Sequence, residues 1–176
     1  MQPEEATVLM KTSLLPSFSD EYGLTGAVIE AIPRDKVAYR PHPVCRTAFE
    51  LARHIVATEM RLADGVVSGE IAHGPVLPGG IDNPKDLATW YAETFHISFD
   101  RLERLSGQQL VNLVSFRRGK PHAILCFQFA LNHSIHHRGQ LSTYLRAMGA
   151  RVPSIYGESF EDAEARKAEQ VRSGVA

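Results

Sequence analysis

An all-α fold, an antiparallel four-helix bundle with a short extra C-terminal helix, is what this sequence predicts, and three observations predict it. Apolar residues recur every three or four positions over four long stretches, strand-like alternation is scarce, and segments rich in proline and glycine separate the stretches. The 176 residues show no second block of composition, so a single domain over 1–176 is expected, with 158–176 as a charged tail or short helix.

The first stretch runs from about Thr7 to Ala31 and is expected to break or restart near Pro16, because a proline inside a helix removes a hydrogen bond and clashes with the preceding turn. "IPRDKVAYRPHPVC" (32–45) then reads as a loop. The second, Val44 to Leu62, carries Leu51, Ile55 and Leu62 beside a row of Ala48, Ala52 and Val56, and is expected to be largely buried. "DGVVSGEIAHGPVLPGGIDNP" (64–84) reads as the next loop. The third helix opens at "NPKD", where Asn83 can cap free amides, Pro84 suits the first helical position and Asp86 complements the positive end of the dipole. Leu87, Trp90, Tyr91, Thr94, Ser98, Leu102 and Leu105 form its inner stripe, with Thr89, Glu93, His96, Asp100 and Glu103 opposite. "QLVNLVSFRRGK" (109–120) has no deciding period and is extended or irregular. The fourth helix runs from about His122 to Met148 and stops at Gly149; "GARVPSIYG" (149–157) is a loop, and "ESFEDAEARKAEQVRSG" (158–174) is a surface helix with a frayed end.

Composition narrows the function. Lysine and arginine number 19 against 20 acids, so nothing in the overall charge favours nucleic acid or membrane, and "FRRGK" (116–120) is too short to supply a basic patch. No apolar run is long enough to cross a bilayer and the N-terminus lacks a signal pattern, so a cytoplasmic location is expected. Cys45 and Cys126 fit reduced, buried thiols better than a disulfide.

The chemistry lies in "NHSIHHRGQL" (132–141). With eight histidines in the chain a chance pair four apart is common, so orientation has to decide. Cys126, Ala130, His133, His137, Leu141, Tyr144 and Met148 advance by threes and fours and share one face, which puts two histidines at core positions. His136 is turned about 100° from His137 and about 60° from His133, and is poorly placed to join them. Two inward imidazoles one turn apart either find ordinary hydrogen bonds to neighbouring helices or water, or share a metal ion, which this spacing suits. His54, in "ELARHIVATE" (50–59), sits at the edge of the second helix's buried stripe. It completes a three-imidazole set if the second and fourth helices are neighbours. His42, His73, His96 and His122 are expected at the surface.

"YRPHPVCRTAFELARHIVATE" (39–59), the helix with Trp90, "NHSIHHRGQLSTYLRAMG" (132–149) and "GARVPSIYG" together resemble the DinB family of DinB/YfiT-like metalloenzymes. The resemblance implies a four-helix bundle with a short C-terminal helix, often a homodimer. It also implies a divalent metal, nickel or zinc, held at His54, His133 and His137, and thiol-dependent transferase or isomerase chemistry in some relatives. Imidazole equally suits iron or copper. An ion held by three neutral rings keeps its charge and an open position, where a small thiol or water becomes the nucleophile of a metal-dependent thiol transferase or related hydrolase. Gln140 and Tyr144 are the candidates for orienting a substrate, with a polar rim and a core aromatic as the alternative; Arg138 and His136 are expected at the surface, with an interface or support behind the metal ligands as the alternatives. The competing class is a non-catalytic, metal-stabilised dimeric stress-response module.

Overall fold

The computed structural model describes residues 1–74, 76–116 and 119–174. Helix α1 (Pro3–Leu9) passes through a π-helical turn (Met10–Leu14) into α2 (Leu15–Glu30). Pro16 falls in the first turn of α2, where a missing N–H is tolerated, and the π turn ahead of it absorbs the change of register. The expected restart is therefore there, although the helix begins earlier than Thr7.

The second helix differs from expectation at both ends. Helix α3 spans Ala48–Ser68 rather than Val44–Leu62, because Thr47 and Glu50 form a capping box: Thr47 Oγ1 accepts from the Glu50 N–H and the Glu50 carboxylate accepts from the Thr47 N–H. At the other end the helix continues through the Asp64-Gly65 pair that reads locally as a turn. Gly65 is needed there for packing, since a Cβ would stand 2.5 Å from Ile71 Cγ1. Cys45, ahead of the cap, is half-exposed rather than buried, whereas Cys126 is buried; both are free thiols.

Helix α4 (Pro84–Glu103) starts as predicted, with the Asn83 side-chain oxygen accepting from the Asp86 N–H. Its buried row contains Leu87, Tyr91, Ser98 and Leu102, but Trp90 and Thr94 are only partly covered. Phe95 takes the central place, stacked on Tyr22 at 3.9 Å and tilted against Phe18. A short α5 (Gly107–Val111) and an irregular segment with isolated bridges lead to α6 (Ala123–Ala147). Of the short basic stretch 116–120, Arg117 and Arg118 lie outside the described residues. Gly149, at φ 69°, supplies the left-handed residue that ends the α6 region. The C-terminal α7 (Phe160–Ser173) buries no residue and is tied down by the Arg146–Glu161 and Arg151–Asp162 ion pairs.

The four long helices α2, α4, α3 and α6 close into a ring in that order. Phe18 against Phe95 and Tyr22 against Tyr91 make α2 and α4 antiparallel. Because α3 runs parallel to α4 and α6 parallel to α2, helices α3 and α6, which meet at His54 and His133, are antiparallel as well. The other two neighbours are parallel: Glu59 meets Tyr91 and Asp64 meets Arg101 across α3 and α4, and Phe18 meets Phe127 while Thr25 meets Arg138 across α2 and α6. The antiparallel packing expected of a bundle thus holds for two of its seams. The cause is the long connection at residues 69–83, which reaches up to about 50 Å when extended and so returns the chain along α3, about 31 Å long, to start α4 at the same end. Among the described residues no helix is long and apolar enough to cross a membrane.

Candidate metal centre

The buried stripe of α6 is wider than the predicted face and centred one position away, on Phe127, Leu131, Ser134, Arg138, Leu141 and Leu145. Cys126, Ala130 and Met148 are buried as predicted, while His133, His137 and Tyr144 sit on the stripe's edge, half-buried. His54 occupies the matching edge of α3, and the contact of α3 with α6 brings the three rings together. The remaining histidines do not join them. His42, His73, His96 and His136 are exposed, and the partly buried His122 caps α6, where its Nδ1 meets the Val111 carbonyl.

One ligand nitrogen from each of His54, His133 and His137 lies within 4.8 Å of the others. Nε2 of His54 faces Nε2 of His133 at 3.1 Å, and the ring centroids are 4.4 to 4.8 Å apart. Two nitrogens each about 2.0–2.1 Å from one tetrahedral ion stand about 3.3 Å apart, so this separation already fits shared coordination. The opposite ring edges support the same assignment. Gln140 Oε1 lies 2.6 Å from His137 Nδ1, so that nitrogen carries the proton and donates it, leaving a lone pair on Nε2. Thr58 Oγ1 stands 3.4 Å from His54 Nδ1 and can do the same for that ring. An imidazole ligand held through its far N–H is how metal-binding histidines are ordinarily oriented.

Burial keeps His54 and His137 neutral, the form that binds metal. Partial burial pushes the His54 pKa down to about 4, helped by the charges of Arg46 and Arg61 and by His137. Burial likewise lowers His137, with His136 and Arg46 adding to it, while the Gln140 hydrogen bond pulls the other way. The candidates Gln140 and Tyr144 separate here. Gln140 is exposed and orients His137. Tyr144, two turns beyond His137 and so about 10 Å along the axis, packs on Tyr39 beside Cys45.

A second polar cluster went unread in the sequence. Glu59, fully buried on α3, accepts from the Tyr91 hydroxyl and the Ser134 hydroxyl. Burial pushes its pKa up to about 7, against the lowering effect of those two hydrogen bonds and of Arg138. Arg138, expected at the surface, is 1% exposed. Its guanidinium pairs with the Glu21 carboxylate and donates to the Glu21 carbonyl, Thr25 Oγ1 and Tyr156 Oη. The sequence did hold a signal: Glu59 is four residues beyond Ile55, and Ser134 and Arg138 fall on the 127–131–134–138–141–145 row, so each is a polar residue on a core stripe.

Comparison with known proteins agrees with this architecture. The family profile described as the DinB family matches residues 86–171, which include His133 and His137 but not His54. The uncharacterized protein YjoA of Bacillus subtilis (strain 168) is 28% identical over 143 residues, covering 77% of this chain and 89% of YjoA. The crystal structure of that DinB-like protein superposes with a TM-score of 0.70 at 26% identity, over 81% of this chain and 96% of its own. A DinB-like protein from Bacillus cereus gives a TM-score of 0.69 at 21% identity, over 81% and 95% of the two chains, and speaks for the fold alone.

Proposed function

From the match to the DinB family profile and the imidazole geometry we propose that the chain is a DinB-type divalent-metal enzyme that activates a small thiol, or water, at a three-histidine centre. The observation that carries the reading is the convergence of three imidazoles, with Nε2 of His54 and His133 3.1 Å apart and the far nitrogen of His137 held by Gln140. His54, His133 and His137 are the ligands in this reading, and nickel or zinc the ions. A divalent ion among neutral ligands would keep its full charge, and so would lower the pKa of bound water to about 7 or hold a thiol as thiolate.

The chain's own residues have three tasks. The α3 and α6 backbones fix the three rings, and Thr58 and Gln140 set the tautomers of His54 and His137. Burial on one side keeps those two rings unprotonated. On the other side His54 opens on a groove of about 250 Å³ that includes Val76 and Leu77, where a small molecule reaches the centre.

Elemental analysis of untagged protein tests the ligand set. About one nickel or zinc per chain is expected, lost in His54→Ala, His133→Ala and His137→Ala and kept in His136→Ala. Thiol activation is read separately, as a thiolate-to-metal absorption band when simple thiols are added to the nickel-loaded protein. Full metal content with no band for any thiol, and unfolding on chelation, would make the ion a structural staple instead.

A further inference from the structure

The groove at His54 is bounded by Glu50, Arg53 and Arg61, and it adjoins a second groove of about 500 Å³ lined by Arg40, Arg46, Glu50 and Arg53. The two share Glu50 and Arg53, so four guanidinium groups and one carboxylate border a continuous surface beside the three rings. That carboxylate is already engaged: it accepts from the Thr47 N–H at 2.7 Å and lies 3.8 Å from Arg40. Among the described residues, Arg46, Arg53 and Arg61 have no carboxylate within 4.0 Å. Elsewhere Arg101, Arg146, Arg151 and Arg166 all hold one.

Arg53 and Arg61 are nevertheless held in place. Arg53 donates to the Ile81 carbonyl and stacks 5.7 Å over Phe49, and Arg61 donates to the Gly74 carbonyl at 2.6 Å. A neutral carbonyl satisfies a donor and fixes the guanidinium plane but cancels no charge. Arg61 Nε is also buried without a partner. The surplus positive charge is therefore preorganised, and a cleft lined by one sign of charge concentrates ligands of the other.

We propose that the small molecule handled at this centre is anionic, with a carboxylate bound by Arg46 and Arg53 while its reactive end lies at the three histidines. The proposal rests on the reading of the centre given above and names its substrate class. Arginine suits the task because its fork of donors matches the two oxygens of a carboxylate.

The test compares three thiols on nickel-loaded full-length protein: mercaptosuccinate (dianionic), 2-mercaptoethanol (neutral) and cysteamine (cationic). Dissociation constants come from the thiolate-to-nickel absorption band. Mercaptosuccinate is expected to bind about tenfold more tightly than 2-mercaptoethanol at low salt, about 1.4 kcal/mol, with cysteamine weakest and the preference shrinking as salt rises. Arg46→Gln and Arg53→Gln should each reduce the preference while leaving nickel content and 2-mercaptoethanol affinity unchanged. Equal affinities, or a preference that survives in both variants, overturns the proposal and leaves the thiol reading standing. If no thiol produces a band, calorimetry with succinate separates the two ideas. Succinate binding that Arg53→Gln abolishes supports the anion groove while the thiol reading falls, and no succinate binding sinks the groove as well.

Discussion

Helices α3 and α6 carry two polar clusters about one turn apart, and they are built on opposite principles. Around Glu59 and Arg138 the polar atoms have protein partners, from Tyr91, Ser134, Glu21, Thr25 and Tyr156, and the two side chains are shut away from solvent. Around His54, His133 and His137 the rings are half-buried, His54 edges an open groove, and two of the rings turn the same kind of nitrogen toward each other. A closed set of partners leaves nothing for a ligand to satisfy, so the first cluster fixes the packing of the helices. A set that opens on a groove leaves room for one. Location on the core stripe is therefore a poor guide to function; the state of the partners is the better one.

This contrast can be broken or sharpened in order of expected effect. Arg138→Ala strands the Glu21 carboxylate, whose side chain is only 12% exposed, and should cost about 3–5 kcal/mol in urea denaturation without changing nickel stoichiometry in the folded fraction. Loss of metal with little loss of stability would reverse the assignment of the two clusters. Glu59 gives the next effect, through pH. Its folded pKa, about 7, lies above its ordinary value of 4.5, so the folded state binds the extra proton between them. The stabilisation linked to that proton, about 3 kcal/mol, is complete below pH 4.5 and is lost as pH rises through 7. Stability measured from pH 4.5 to 8 should decline more steeply in the native protein than in Glu59→Gln; parallel curves would mean that Glu59 is ionised throughout. Gln140→Ala removes only the partner of His137 Nδ1, and should weaken nickel binding about 10–100-fold in competition with a chelator while leaving the stability of the metal-free protein unchanged. The smallest effect belongs to exposed His136: His136→Ala should stay within about 0.5 kcal/mol of the parent and keep its metal, and a lost ion would add a fourth ligand to the set.

The helices were legible where local chemistry and tertiary packing agree. Asn83 with Pro84 marked the start of α4, and Gly149 the stop beyond α6. They were misread where packing overrode a local signal, as at Gly65, which looks like a turn and is held in a helix by the approach of Ile71. The three histidines were legible because the spacing of 133 and 137 is a property of one helix, although their angular position was placed too deep. Glu59 and Arg138 were not, because a charged residue among apolar neighbours can turn inward only when its partners come from elsewhere. Glu21, Tyr91 and Tyr156 are remote in the chain. The arginine groove was hidden for the same reason, since its anchors are backbone carbonyls of the connection at residues 69–83.

The histidines of the centre are 79 positions apart across α3 and α6, and that separation has a consequence for the time order of assembly. On a ribosome adding about 5–20 residues per second, His133 is joined to the chain about 4–16 s after His54. A nascent chain ending anywhere in between presents a single imidazole of the centre, which by itself is a weak and unselective ligand. Any metal held by all three rings would thus be selected by the finished chain, from the ions available when α6 docks, rather than by whichever ion first meets the emerging peptide.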